Sequence, residues 1–255
     1  MEIQILGAHM TEGEDIQPPS FLIDGILALD AGSLSKLSLS AQQRLKAVLL
    51  THYHYDHIKD IPLLGMNFSH WGTLSIYSIP EVFDALTAHL LNWKIYPNFL
   101  EWPSKEKSAL KFFPLEPYKA EAIEGYHILA IPVAHTVPTV GFQVTSPEGK
   151  RVFYTSDTGP GLSACWEWVS PDLLITEVSL PKGWEGKARE AGHLTPELLK
   201  LELLQFRQIK GYLPRTILIH LNPFLEDKIK EGVKEITQEL GTDIEIGREG
   251  MKIYL

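Results

Sequence analysis

One cysteine, Cys165, in 255 residues excludes an intrachain disulfide and leaves histidines and carboxylates as the plausible metal ligands. That cysteine reads as a small core residue beside Trp166. Basic residues are in deficit, with 23 Lys and Arg against 32 Asp and Glu, for a net charge of −9. Broad capture of a nucleic-acid backbone needs a basic face, so a long polyanion is a poor partner. A small anionic substrate drawn in by metal ions stays compatible with this charge. No apolar run is long enough to span a bilayer, and Met1-Glu2-Ile3-Gln4-Ile5 shows neither a basic leader nor an apolar signal core. The expectation is a cytoplasmic enzyme without a membrane partner. Repeats, low-complexity tracts and linkers are missing as well, while 44% hydrophobic and 22% charged residues suit an ordinary core. A single domain over residues 1–255 follows as the expected organisation.

What the chain does have is histidine concentrated in one place. Thr51-His52-Tyr53-His54-Tyr55-Asp56-His57 holds three histidines and an aspartate within six positions. Residues 46–50 before it read as a short buried strand, and apolar residues at helical spacing follow over 58–64. The cluster therefore sits on a turn at the carboxyl end of a strand, where open α/β sheets place their ligands. Imidazole and carboxylate groups suit zinc, manganese or iron. In a tight turn His52 and His54 can face one way while Asp56 and His57 face another, so one stretch can begin two metal sites.

The remaining elements read in order. Residues 2–6 alternate like an edge strand, and 20–23 with 26–29 flank Asp24-Gly25, a hairpin signal. Asp30-Ala31-Gly32-Ser33 turns out of that hairpin, and 41–45 is a short helix. A strand over 73–77 and a helix over 80–91 come next, followed by Trp93, Tyr96, Phe99 and Trp102. These aromatics could line an apolar pocket, cover a homodimer face or pack in the core; His70 and His89 are read as structural. The second half then repeats one pattern. Apolar runs at 128–134, 151–156, 173–176 and 216–219 are closed by His135, Asp157, Glu177 and His220. If these strands share a sheet edge, all four residues converge on the histidine turn. His127 precedes its strand and is set aside. Thr195-Pro196 starts a helix that continues over 198–208, and 226–240 is an amphipathic helix.

His52, His54 and His135 can hold one metal, and Asp56, His57 and His220 a second. Asp157 is the natural bridge, because a carboxylate has two oxygens to share. Two metals roughly 3.5–4 Å apart can share a water, lower its pKa toward about 7 and clamp attacking and leaving oxygens. Ester hydrolysis, above all of phosphoesters, is the favoured chemistry. A mononuclear site or another metal-dependent reaction stays open on ligand types alone.

His-x-His-x-Asp-His followed by single ligands at His135, Asp157 and His220 resembles the metallo-β-lactamase fold superfamily. The resemblance implies an α/β fold, an αββα sandwich of two mixed sheets flanked by helices, with the metals at the edge between the sheets. Ser20-Phe21-Leu22-Ile23-Asp24, Leu91-Asn92-Trp93, His135-Thr136-Val137-Pro138, Ser156-Asp157-Thr158-Gly159-Pro160, Thr176-Glu177, Gly192-His193-Leu194-Thr195 and His220-Leu221-Asn222-Pro223 narrow it. They are similar to the bacterial class II 3′,5′-cyclic-nucleotide phosphodiesterases, near ribonuclease Z. Tyr55 and Asp60 stand where that signature has Leu and Gly, and Gly7-Ala8-His9-Met10 lacks the extra glycines of the first loop. These departures bear on the substrate rather than on the metal ligands. The resemblance also implies that His193 transfers a proton and that Glu177 orients it, with Asp56 serving catalysis as well as the second metal. The expected activity is dinuclear hydrolysis of a small phosphodiester, with zinc first among the metals and manganese or iron as alternatives. A ribonuclease Z-like endoribonuclease, a thioester hydrolase or lactamase, and a non-catalytic binding protein on the same fold are the competing readings.

Overall fold

The computed structural model describes residues 1–255. Its strands are β1 (Glu2–Gly7), β2 (Ser20–Ile23), β3 (Leu27–Leu29), β4 (Ala47–Leu49), β5 (Leu74–Ser78), β6 (Leu110–Pro114) and β7 (Ala120–Ile123). The chain continues through β8 (Tyr126–Pro132), β9 (Val140–Thr145), β10 (Arg151–Tyr154), β11 (Leu173–Glu177), β12 (Arg215–Ile219), β13 (Ile244–Ile246) and β14 (Lys252–Tyr254). One sheet runs β14-β1-β2-β3-β4-β5-β6 and the other β13-β12-β11-β10-β9-β8-β7. Each is mixed. In the first, pairing is antiparallel from β14 to β3 and parallel from β3 to β6. In the second, pairing is parallel from β13 to β10 and antiparallel from β10 to β7.

Period-two alternation assigns the faces. Val152 and Tyr154, Leu173 and Ile175, and Ile217 and Ile219 join a core of 44 buried residues shared with Ile3, Phe21, Leu29 and Val48 of the first sheet. Phe21 meets Tyr154 edge-on across this interior, with ring centroids 4.8 Å apart. The intervening Phe153, Leu174 and Leu218 point the other way, into a second core of 21 residues. That core is closed by the helices Pro196–Lys210 and Glu226–Leu240. Helices Ile61–Trp71 and Pro80–His89 cover the first sheet through Ile61, Leu64, Phe68, Val82 and Leu86. The result is the αββα sandwich that the motifs implied. No helix is long and apolar enough to cross a membrane.

Several elements differ from the sequence expectation. The first short helix is Leu39–Gln42 rather than 41–45, because Ser38 caps it by accepting from the Ala41 amide. Strands β6, β7, β9, β13 and β14 were not foreseen. Four of these are short and carry charged or proline positions at or near sheet edges, which mutes their alternation; β9 is interrupted by Gly141. That glycine is needed there, since a Cβ would come within 2.7 Å of the Tyr154 carbonyl. Of the aromatic group, Phe99 is fully buried, Tyr96 and Trp102 pack against the core, and Trp93 is exposed. Core packing accounts for most of that stretch.

Topology then sets the site. Strands β10, β11 and β12 are parallel, and β8 runs in their direction because β9 is antiparallel to both β8 and β10. The carboxyl ends of all four reach one edge of their sheet. The Val140 amide bonds the Thr51 carbonyl at 3.1 Å, tying that edge to the loop after β4.

Candidate metal centre

All seven expected ligands come together at this edge. Ligand atoms of His52, His54, His135 and Asp157 lie within 4.8 Å of one another, and so do those of Asp56, His57, Asp157 and His220. In the first group the inward nitrogens are His54 Nδ1 and His135 Nε2, 3.2 Å apart, with His52 Nε2 3.9 Å from Asp157 Oδ2. In the second, Asp56 Oδ2 lies 3.7 Å from His57 Nε2 and 3.4 Å from His220 Nε2. Asp157 belongs to both groups. Its Oδ1 is 3.3 Å from His57 and its Oδ2 is 3.2 Å from His220.

The outer nitrogens of His52, His57, His135 and His220 are held by oxygens, which turns their inner nitrogens toward the cluster. His135 Nδ1–H donates to the Gly192 carbonyl at 2.8 Å. Gly192 has φ +70 and its Cβ would sit 2.9 Å from that same nitrogen, so only glycine fits. His220 Nδ1 bonds the Ser179 hydroxyl at 2.7 Å, and His52 Nδ1 bonds the Thr51 hydroxyl at 3.0 Å. His57 Nδ1–H donates to Asp30 Oδ2 at 2.7 Å. Asp30 also accepts from the Thr51 amide and hydroxyl and from the Tyr154 hydroxyl. Through Thr51 and His57 this one buried carboxylate braces both ligand groups.

Burial and mutual repulsion set the protonation states. Burial, then neighbouring His57, pushes His52 well below its ordinary value; burial, then His135, lowers His54. Burial lowers His135 too, so these three imidazoles are neutral ligands. Burial would raise Asp157, but His220 and His57 hold it well below the usual carboxylate range. The donor set suits a divalent cation on a direct structural test. His52 Nε2, His57 Nε2 and Asp157 Oδ1 are buried polar atoms with no hydrogen-bond partner, and Asp157 shares one ligand group with each imidazole. Buried polar atoms are normally paired. Burial opposes a charge on His57, but Asp157, Asp30 and Asp56 outweigh it and raise its pKa well above the ordinary value, so a cation bound there would displace a proton.

Glu177 and His193 stand beside this set rather than in it. Glu177 is buried and accepts from His193 Nδ1 at 2.6 Å, from the Ser179 hydroxyl at 2.7 Å and from the Thr158 amide at 3.1 Å. The His193 ring stacks on His220 at 5.3 Å and lies 5.2 Å from His135. Burial would lower its pKa, but Glu177 outweighs burial and raises it to about 9. Glu177, His193 and His220 also satisfy a metal-ligand spacing. With Nδ1 of His193 and both Glu177 oxygens already bonded, a proton-holding pair fits the contacts better.

Two features escaped the sequence reading. Asp30 closes the apolar run of β3 just as His135, Asp157, Glu177 and His220 close theirs, and that signal was available. His89, read as structural, instead lines a surface cavity with Tyr53 and Tyr55. None of Trp93, Tyr96 or Trp102 lines it.

Replacing Asp30 by alanine should strand four buried donors. Each costs about 1–3 kcal/mol, so a loss of several kcal/mol is expected in a urea melt. Metal affinity at both ligand groups should fall by roughly 10–100-fold. Unchanged affinity in a folded variant would remove Asp30 from this supporting role.

Comparison with known proteins gives a consistent family. A model described as a beta-lactamase superfamily domain matches residues 20–221. A probable 3′,5′-cyclic-nucleotide phosphodiesterase of Yersinia pestis is 22% identical over 205 residues, 71% of this chain and 57% of that protein. The 3′,5′-cyclic-nucleotide phosphodiesterase of Aliivibrio fischeri is 24% identical over 200 residues, 71% of this chain and 59% of that protein. The matches thus span little more than half the length of these relatives. Among solved structures, unliganded yeast PDE1 has the same fold at TM-score 0.84 and 17% identity, covering 100% of this chain and 99% of that one.

Proposed function

Because the chain belongs to the β-lactamase superfamily, matched from residue 20 to 221, we propose that it is a dinuclear metal-dependent phosphodiesterase. Its substrate on this reading is a small phosphodiester of the 3′,5′-cyclic-nucleotide class. The observation that carries the reading is Asp157, which belongs to both ligand groups, its Oδ1 facing His57 and its Oδ2 facing His220 on one side and, farther off, His52 on the other. The names of the Yersinia pestis and Aliivibrio fischeri relatives support the substrate class.

His52, His54 and His135 would hold one divalent cation, Asp56, His57 and His220 the other, and Asp157 both. Such a pair, with zinc favoured by imidazole and carboxylate donors and manganese or iron compatible, supplies Lewis acidity and a water acidified toward a pKa of about 7. The chain's own residues do the rest. The Asp56 and Asp157 carboxylates supply negative charge among the imidazoles. Hydrolysis also needs a proton for the departing alkoxide. His193 is placed to give it from Nε2, because Nδ1–H is fixed on Glu177. Glu177, itself held by Ser179 and the Thr158 amide, orients the ring without transferring the proton. Replacing Glu177 by glutamine should therefore lower kcat by a smaller factor than loss of His193, with metal content unchanged.

The substrate class is tested by comparing 3′,5′-cyclic AMP and cyclic GMP with precursor transfer RNA at matched metal and low salt. Low salt favours RNA binding. A cyclic nucleotide should be opened to its monophosphate, with turnover abolished by chelation and the RNA largely uncut. Site-specific RNA cleavage without cyclic-nucleotide turnover would make the endoribonuclease reading correct instead.

A further inference from the structure

A cavity of about 550 Å³ opens directly beside the histidine turn. Such a volume suits a small ligand. One wall is the face of the helix Pro80–His89 that carries Glu81, Asp84, Ala85 and Ala88. The opposite wall carries Tyr53 and Tyr55, which alternate with the ligands His52, His54 and Asp56. Pro138, from the loop that carries His135, closes the slot. A second, neighbouring cavity shares Glu81 and Pro138 with the slot and is lined by His135 itself.

The charged side chains of the slot are mainly acidic. No lysine or arginine lines it, and His89 and the two tyrosines are its side chains able to donate a hydrogen bond. Asp84 and Glu81, one helical turn apart on the same face, make no ion pair. Carboxylates only accept hydrogen bonds. Ala85 and Ala88 leave room for a flat ring against the tyrosines, and aromatic stacking holds any base without choosing among them. Glu81 and Asp84 are the acceptor-only side chains of the lining, so they favour a base edge that presents paired donors. Glu81 stands where the two cavities meet, nearer the phosphate end, which leaves Asp84 for the far edge of the base.

We propose that this slot binds the nucleotide base and that Asp84 selects guanine; the assignment rests on the phosphodiesterase reading above. Guanine presents two adjacent donors, N1–H and the N2 amino group, which a carboxylate accepts together. Adenine presents one donor beside an acceptor, N1, that would face a carboxylate oxygen. A bidentate pair discriminates by roughly 10–100-fold, and an unmatched polar edge is rejected.

The test uses the protein as purified, with isothermal titration of 5′-GMP and 5′-AMP alongside kcat/KM for the two 3′,5′-cyclic nucleotides. Wild-type protein should favour guanine by roughly tenfold or more in both measurements. Asp84→Asn should bring the ratio toward one, because an amide pairs with the N1 and amino group of adenine and equally with the O6 and N1–H of guanine. Asp84 is exposed on a helix, so folding should survive, which circular dichroism checks. As a second variant, Ala88→Leu should fill the slot and weaken both nucleotides together. A wild-type ratio near one, or a ratio unmoved by Asp84→Asn, would overturn the assignment. Turnover of both cyclic nucleotides with a ratio near one rejects the slot and keeps the hydrolase. Guanine-selective binding that Asp84→Asn abolishes, without any hydrolysis, keeps the slot and rejects the hydrolase.

Discussion

His193→Ala should lower kcat on a cyclic nucleotide by roughly 10²–10⁴-fold, the usual scale for a positioned acid, while metal content stays at the wild-type level. The leaving group decides the interpretation. A nitrophenolate needs little protonation, so the loss on a nitrophenyl phosphodiester should be much smaller than on a substrate that expels an alkoxide. Equal losses on both would assign His193 to structure or binding. The pH dependence adds a signature that a structural role lacks. In the metal-free protein Glu177 keeps His193 protonated up to about pH 9. Nearby cations oppose that proton, so the alkaline fall in kcat should come at or below that value. The His193→Ala variant should lack this fall. The same raised pKa affects stability with a definite sign. The contribution of the His193–Glu177 pair is complete below the ordinary histidine value near 6.5 and is lost as pH rises through about 9.

Asp157→Asn should have the broadest effect of any single substitution. It removes the one carboxylate common to both ligand groups and the counter-charge that faces His57 and His220. Neither ion should be retained, and the rate should drop by roughly 10³–10⁴-fold, matching several kcal/mol of lost charge stabilisation. His54→Ala is the contrasting case. His54 belongs only to the group of His52 and His135, so that variant should keep one ion. If Asp157→Asn also kept one ion and His54→Ala kept none, the bridging assignment would be wrong. Circular dichroism distinguishes both outcomes from unfolding.

Residue pattern alone made much of this centre legible, for a physical reason. Strands that are apolar on both faces can carry polar chemistry only past their ends, so His135, Asp157, Glu177 and His220 stood out against the runs before them. Parallel β10, β11 and β12 then bring three of those ends to one edge. Asp30 obeys the same rule but was masked by the turn Asp30-Ala31-Gly32-Ser33, where an aspartate is ordinary. Ser179 and Thr51 left no such mark, because hydroxyls that support a histidine ring look like any other hydroxyls until the fold places them. The aromatic stretch from Trp93 to Trp102 stayed ambiguous for the opposite reason. Aromatic density marks buried area and pocket walls alike, and here Phe99 packs against Gly65 so closely that a Cβ there would fall within 2.3 Å of the ring. The groove wall beside the metal turn is made instead by Tyr53 and Tyr55. They lie inside the motif that drew notice for its histidines.

The two-ion centre is the claim on which the rest depends, and anomalous diffraction tests it most directly. Crystals of protein purified without chelator, measured at the absorption edge of the metal found, should show two peaks, one on each side of Asp157. One should lie among His52, His54 and His135, the other among Asp56, His57 and His220. A single peak in fully active protein would contradict the account.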